Sequence, residues 1–350
     1  MKSIALTVAS LVAMGALIQP VTSASAQQIA QGKTYNLKVA IFTPTRSATA
    51  RWFAKSKKEL AEKTGGKLVL QLFHGSSMGP MPRHYDLART GVADMAFFQH
   101  GVTRGRFPLV ELMHSPYIVP GGAAGSQMAT AIAADLKDKY FAKEHKGTKL
   151  IWIVYNRPSG VYDSGKPITR LEDLRGRRYR APTPTDVAVM KALGALPIGM
   201  PATHMAESLQ KGTIDGVVTD PMGVFSFKLG TLVKNYTDMF NSVISFGLVM
   251  NPKAYAGLPK KYQTLIDGLG TKESAIAMAS MSWSDFPAFK KYMGGAKIKT
   301  VKMSASADKE MRAIGEKVMK DRIAGMEKKG LPAAKVYREM KALAAKYNKM

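Results

Sequence analysis

The chain of 350 residues contains no cysteine. No disulfide framework can form, no thiolate is available as a nucleophile, and zinc centres built on cysteine are excluded. An exported lipoprotein is excluded with them, because its lipid is carried on a cysteine. Acidic side chains are scarce, 25 Asp and Glu against 51 Lys and Arg, for a formal net charge of +26. Such a balance invites a nucleic-acid partner. The lysines, however, are spread along the chain instead of blocked, and aromatic residues are not interleaved with them as a stacking platform requires. The charge is assigned to solvated helix faces, with a residual field that favours anionic ligands and anionic partner surfaces.

Recognisable chemistry is also sparse. The six histidines, His74, His84, His100, His114, His145 and His204, include no pair at zinc-ligand spacing. No serine sits in a nucleophile elbow and the strict dinucleotide glycine pattern is missing. Gly160 to Lys166 has the spacing of a phosphate loop, but Pro167 stands where its Ser or Thr belongs and no helix start follows directly. The 22 methionines fall at helix-core spacings without clustered partners, so they read as packing and not as a metal set. The expectation is therefore no catalytic residue, no metal and no cofactor. Internal repeats and low-complexity linkers are absent.

What is present is enough apolar material, 46% of residues, for two medium domains with their own cores, and a charged fraction of 22% that excludes wholesale disorder. Lys2, the apolar run Ile4–Ile18 and Ala24-Ser25-Ala26 compose an n-region, h-region and cleavage site. Residues 1–26 are thus expected to be a signal peptide, the mature chain to start at Gln27, and the protein to be soluble and exported to a bacterial periplasm.

Apolar β-rich runs at 36–42, 67–73 and 94–98 alternate with helical stretches at 48–63 and 83–90, an order that predicts parallel strands with crossover helices. A helix over 123–144 and a strand over 149–155 follow. A second βα series runs from 171 to 219, and an apolar strand at 243–250 returns to the first. Residues 259–293 are helical with a Gly268–Gly270 interruption. Met311, Ile314, Val318 and Met326 mark an amphipathic tail helix, continued by Val336, Met340 and Leu343. Two α/β lobes joined by chain crossings are the expected fold class.

Arg175, Arg177, Arg178 and Arg180 crowd into the stretch LEDLRGRRYRAPTP, residues 171–184. Thr169 and Glu172 have capping-box spacing, Gly176 is placed to end the short helix, and residues 177–181 form a strand stopped by Pro182. An arginine fixed at a strand end is a pre-organised receptor, whose planar fork takes a carboxylate by two parallel charge-assisted hydrogen bonds. Arg180 is the candidate. The other three are assigned to the exposed surface.

The stretches DLRGRRYRAP and GALPIGMPATHMAESLQKGTIDG, with EKTGGKLVLQLFHGSSMG and LARTGVADMAFF before them and Leu258-Pro259 with Gln263 after, resemble the solute-binding proteins of tripartite ATP-independent periplasmic (TRAP) transporters, dicarboxylate type. The resemblance runs from about Tyr35 to Ile298. It implies an α/β, two-lobed periplasmic-binding-protein fold with an inter-lobe cleft and a long helix spanning both lobes, divided as 27–155 plus 243–285 for lobe I and 156–242 plus 286–350 for lobe II. It places the family's carboxylate-binding arginine on Arg180. Thr219 takes the position of a ligand-contacting amide, and Phe42, Thr43 and Gln99 fall where the first lobe touches ligand. A second arginine of some members has Gly160 as its ungapped match, with Arg157 as a nearby substitute. Ala202 and His204 stand where an aromatic and a glutamate are usual. The implied function is capture of a small organic carboxylate, a monocarboxylate with a bulky or aromatic body given this less polar pocket, and delivery to the integral-membrane TRAP subunits by hinge closure. No nucleic acid is implied, and the membrane is met only through the transporter. A periplasmic sensor partner, an exported enzyme acting on an organic acid and a polyanion-binding surface protein stand as alternatives.

Overall fold

Period-two burial builds the first sheet. In β1 (Tyr35–Ile41), Leu37, Val39 and Ile41 point to one face and Ala40 to the other. Helix α1 (Ala48–Lys63) starts at Ser47, whose hydroxyl accepts the Ala50 amide at 3.1 Å, and lays Trp52, Phe53 and Leu60 on that first face. Strands β2 (Leu68–Phe73) and β3 (Met95–Gln99), the latter after α2 (His84–Thr90), pair parallel with β1 on either side, as the alternation of elements predicted. The computed structural model describes residues 32–156, 158–239, 242–284 and 286–349, and their side chains except those of 282–286. The signal-peptide expectation and Arg157 lie outside the described residues.

Helix α3 (Gly122–Leu136) precedes β4 (Lys149–Tyr155). The continuous helix expected to 144 ends early: Tyr140 and Phe141 turn into the core, and Phe141–Glu144 is a 3-10 turn. The chain then crosses to a second sheet through β5 (Gly160–Asp163), β6 (Arg178–Ala181), α4 (Pro184–Ala192), β7 (Leu196–Gly199), α5 (Met205–Gln210), β8 (Gly216–Thr219), α6 (Pro221–Ser226) and β9 (Asn235–Thr237). It returns as β10 (Ser245–Met250), which lies antiparallel between β3 and β4. Helices α7 (Pro252–Ala256), α8 (Lys260–Leu269), α9 (Lys272–Ser284) and α10 (Phe286–Gly295), strand β11 (Lys299–Val301), and helices α11 (Ala305–Glu327) and α12 (Ala333–Tyr347) complete the chain. The sheet orders are β2-β1-β3-β10-β4 and β11-β9-β5-β8-β6-β7.

Each sheet is covered on both faces, the arrangement parallel strands require. Alternate residues of β3 divide the first sheet: Met95 and Phe97 meet α1, α8 and α9, whereas Ala96 and Phe98 meet α2, α3 and the C-terminal helices. In the second sheet, Val161, Tyr179 and Val218 face α4 and the start of α11, and Tyr162 and Val217 face α5, α6 and α10. Two helical paths join the layers. From α9 to α10 the chain passes from the first core to Phe289 in the second, and α11 runs from Ala307 and Met311 on the second core to Met319 and Met326 on the first. The outward crossing at 156–159 pairs with the return at 242–244: Ser159 N–H donates to Ser242 O (2.7 Å), Asn156 N–H to Ile244 O (3.1 Å), and Ile244 N–H to Asn156 Oδ1 (2.6 Å). Residues Tyr35–Met350 together form one compact unit.

The segment before Arg180 departs from expectation by one residue. Leu171–Leu174 is a 3-10 turn that follows Arg170, not Thr169, and Asp173 instead of Glu172 is the acid that bonds back to the amides before it. The Asp173 carboxylate reaches the amides of Thr169 (2.8 Å) and Arg170 (3.0 Å) together, which a side chain one position earlier does not. Gly176 takes φ +70°, the left-handed exit expected of it.

Candidate functional site

Arg180 sits on β6, between β7 and β8, and only 1% of it is exposed. Its Nε donates to the Met200 carbonyl and its Nη1 to the Val218 carbonyl, both at 3.1 Å. One carbonyl follows β7 and the other belongs to β8, so the strands on either side fasten the guanidinium plane. Among the described residues no carboxylate forms an ion pair with it. Burial pulls its pKa from 12.5 to about 10, with the charges of Asp186 and Asp220 opposing the fall, so the group stays cationic at neutral pH.

The neighbouring arginines are engaged elsewhere. Arg177 pairs with Asp163 (2.5 Å) and Arg178 grips Asp215 through Nε (3.2 Å) and Nη2 (2.7 Å), while Arg175 packs against Gly194. None of them lines the cavity described next, but the surface assignment fits only Arg175, since Arg177 and Arg178 are half-buried. Arg177 and Arg178 do structural work, tying the start of β6 to β5 and to the residue preceding β8.

A cavity of about 110 Å³ lies between the two sheets. Phe42, Thr43, Gln99, Arg180 and Thr219, five of the six residues singled out in the sequence, line it together. Thr43 and Ser47 share a hydrogen bond of 3.0 Å at the start of α1. The Gln99 amide donates across the gap to the Pro182 carbonyl at 3.1 Å, two residues beyond Arg180. Gly160, the ungapped match for a second arginine, has no room for a side chain: a Cβ there would stand 2.4 Å from the Tyr236 ring and 2.8 Å from the Thr237 carbonyl.

Sequence reasoning missed other lining groups. Phe97 and Phe246, read as strand core, form an aromatic wall with Phe42; ring centroids are 5.1 Å apart for Phe42–Phe97, 5.5 Å for Phe97–Phe246 and 6.1 Å for Phe42–Phe246. Val154, Ile244, Met222 and Met278 extend the apolar surface. Asn156 and Asp220 add a polar corner, linked by Asn156 Nδ2 donating to Asp220 Oδ2 at 2.5 Å. The Asp220-Pro221 pair was a legible cue, being an N-cap residue before proline at the first helical position. At the rim, Arg46 donates from Nε to the Ser226 carbonyl (2.8 Å), and its Nη2 reaches the same oxygen, joining the loop after β1 to the end of α6. Arg180 thus offers an anion its charge inside a wall that is otherwise largely apolar and aromatic. Among the described residues no group of three or more His, Asp or Glu is placed to hold a metal ion.

Comparison with known proteins gives this geometry a family. Residues 40–325 match the model of DctP, the bacterial extracellular solute-binding protein, family 7. The chain belongs to this family. As a family 7 protein it is an extracellular solute-binding receptor of α/β, two-lobed architecture. A TRAP solute-binding protein from a marine metagenome, specific for aromatic acid ligands and solved with 3-hydroxybenzoate, is 26% identical and superposes with a TM-score of 0.85 over 90% of this chain and 99% of that one. One from Rhodoferax ferrireducens T118, solved with copurified benzoate, shares the fold at 24% identity and a TM-score of 0.84, again over 90% and 99% of the two chains. In sequence, the 2,3-diketo-L-gulonate-binding periplasmic protein YiaO of Escherichia coli (strain K12) is 28% identical over 206 residues, 58% of this chain and 62% of its own. Among the described residues no helix is long and apolar enough to cross a membrane.

Proposed function

We propose that this solute-binding protein captures an organic monocarboxylate with a ring-bearing or bulky apolar body in the periplasm, and hands it to the integral-membrane subunits of a TRAP transporter without altering it chemically. The observation that carries the reading is Arg180: a buried guanidinium that forms no ion pair among the described residues and lines the cavity between the sheets. A buried charge without a directly bonded counter-ion is costly, and a carboxylate supplies that counter-ion together with the paired acceptors that the fork fits. The three phenylalanines offer a ring its stacking surface. The cavity is of the same order as the ~150 Å³ apolar cavity that admits benzene in another protein. Neighbouring family members that bind aromatic acids support the same class of ligand.

Arg180 and Thr219 stand on the second sheet, and Phe42, Thr43, Gln99, Phe97 and Phe246 on the first or its loops, so ligand touches both only when the sheets are apposed. Binding then favours the closed arrangement. The working division is 27–155 plus 243–285 for lobe I and 156–242 plus 286–350 for lobe II. The crossings at 156–159 and 242–244 act as hinge, and α11 and α12 return across it to pack on the first core. Arg157, one residue beyond Asn156 in that hinge, is retained as a ligand-contacting candidate.

Thermal-shift screening of the purified chain against organic acids tests the proposal, since a ligand that binds only the folded form raises its melting temperature. Aromatic and bulky monocarboxylates should raise it. A screen in which only small diacids or sialic acids bind overturns the ligand class. Uptake in a strain carrying the membrane subunits, lost when this gene is deleted, tests delivery, and cell fractionation tests the periplasmic location.

A further inference from the structure

Two carboxamides line the cavity, and they differ in what they have left to offer. Asn156 is engaged at both ends: its Nδ2 donates to Asp220 and its Oδ1 accepts the Ile244 amide. Gln99 is engaged at one. Its Nε2 donates to the Pro182 carbonyl at 3.1 Å, and its Oε1 receives no hydrogen bond among the described residues. A carbonyl can only accept, so that bond fixes which end of the amide is which. Gln99 is also only 1% exposed, so its oxygen cannot turn to open solvent. The donor that satisfies Oε1 must therefore come from what the cavity contains.

The sheet sets what lies beside that oxygen. Gln99 ends β3, directly opposite Phe246 on β10 and two residues beyond Phe97, so all three side chains leave one face. Phe97 and Phe246 are stacked rings of the aromatic wall. On the other side, the bonded Pro182 lies two residues after Arg180. Gln99 thus stands where the wall meets the segment that carries the cation. The hydroxyls of Thr43, Thr49, Thr219 and Ser226, which also line the cavity, can rotate to donate or to accept. The oxygen of Gln99 can only accept. A ligand with an apolar edge there leaves a desolvated acceptor unpaired, one with an acceptor there meets a like dipole, and one with an O–H there completes the bond. Sites built to bond a hydroxyl reject the analogue that lacks it far better than apolar pockets reject one another's ligands.

We propose that Gln99 is a specificity-determining residue, and that its immobilised carbonyl selects aromatic monocarboxylates bearing a hydroxyl on the ring or next to it. The inference rests on the proposed capture of a ring-bearing acid by Arg180, and it names the further group that this acid carries.

The test is isothermal titration of the full chain with three matched sets. These are 3-hydroxybenzoate, 4-hydroxybenzoate and mandelate, each against its parent without the hydroxyl (benzoate or phenylacetate) and against its methyl ether, which keeps the oxygen and loses the donor. The tightest hydroxy acid should bind the unmodified protein at least tenfold tighter than its parent and its ether. In Gln99→Met that preference over the parent should fall to threefold or less. Gln99→Leu serves if the first variant melts early, and the ether comparison needs no variant. Both substitutions also break the bond to Pro182, so absolute affinities should drop. That loss acts on closure and falls on every acid alike, so it cancels in the ratio. A preference below tenfold over either comparator, or one that survives both substitutions, overturns the proposal. Arg180→Met separates the two levels. If it abolishes binding of benzoate and phenylacetate while the unmodified protein prefers no hydroxy acid, only the present inference fails. If it leaves them bound, or if none of these acids binds the unmodified protein, the receptor role fails and this inference with it.

Discussion

Replacing Arg180 by methionine should separate function from stability in an unusual direction. Its pKa drops from 12.5 to about 10 on burial, and that drop corresponds to about 3 kcal/mol of unfavourable burial of the charge. Removing the guanidinium relieves that term. The substitution also strips the Met200 and Val218 carbonyls of a donor, which costs about 1–3 kcal/mol each. Methionine fills most of the volume with a flexible apolar chain. The terms oppose, so the ligand-free variant should melt within a few degrees of the parent. Binding should suffer heavily. Truncating one partner of a buried charge pair costs about 2–5 kcal/mol, which is about 30-fold to several thousand-fold in Kd. Arg180→Lys should also weaken binding, because a single ammonium cannot hold both carbonyls and still present a fork. Calorimetry on the apo proteins and titration with benzoate read the two quantities independently. Retained affinity together with a large loss of apo stability would refute the reasoning, by showing Arg180 to be a structural strut.

The remaining expectations concern closure, the aromatic wall and pH. Arg46→Ala removes the clasp on the Ser226 carbonyl without touching the cavity, so it should raise Kd by roughly tenfold, mainly through faster release and by the same factor for every ligand; a ligand-dependent factor in stopped-flow kinetics would make it a contact residue instead. Phe246→Ala should cost aromatic acids about 1 kcal/mol more than an aliphatic acid of similar size, read by competition titration, and an equal loss for both would dismiss the stacking role. His114 is buried with its Nε2 accepting from Ser245, and burial first, then the Arg322 charge, brings its pKa from 6.5 to about 3. The unfolded chain therefore takes up a proton below pH 6.5 that the folded chain refuses, and stability is lost as pH falls from 6.5 towards 3. At pH 5 this amounts to about 2 kcal/mol, so His114→Gln, whose carbonyl can accept the same bonds, should show that much less acid sensitivity between pH 7 and pH 5 in denaturant titrations. Carboxylate binding should be flat from pH 7 to 9, because Arg180 loses its proton only near 10 and Asp186, whose charge acts on it, is protonated only towards pH 6.

Much of the fold was legible because its strands bury both faces and its helices bury one. The runs at 36–42, 67–73, 94–98 and 149–155 are apolar and β-rich enough to read as strands, although those at 67–73 and 149–155 form the two edges of the sheet, and α1 was bounded correctly by Ser47 and the glycines after Lys63. The short strands β9 and β11, three residues each, carry too few positions for a period to show, and β5 was masked by its phosphate-loop spacing. The site was legible only through its charged member and through family likeness. Phe97 and Phe246 look the same in sequence whether they pack against core or face a ligand. What separates the two is the opposing sheet, and sheet apposition is a long-range property. The clasp of Arg46 on a carbonyl 180 residues later is of the same kind.

The position of Arg180 also explains why ligand and closure should be inseparable. The guanidinium is oriented by carbonyls of its own sheet, so its geometry is set before any ligand arrives, and little ordering remains to oppose binding. Two residues later the same segment offers the Pro182 carbonyl to Gln99 of the first sheet. Gly101 lies against that segment so closely that a Cβ would come within 2.8 Å of the Pro182 oxygen. A carboxylate seated on Arg180 therefore engages the very segment that bonds across the gap, and Asn156, which holds Asp220, is itself paired with the return crossing at Ile244. No separate relay is needed between pocket and hinge: both are ends of the same few hydrogen-bonded residues, so a substitution that loosens Gln99 or Asn156 should shift the open–closed balance even in the absence of any acid.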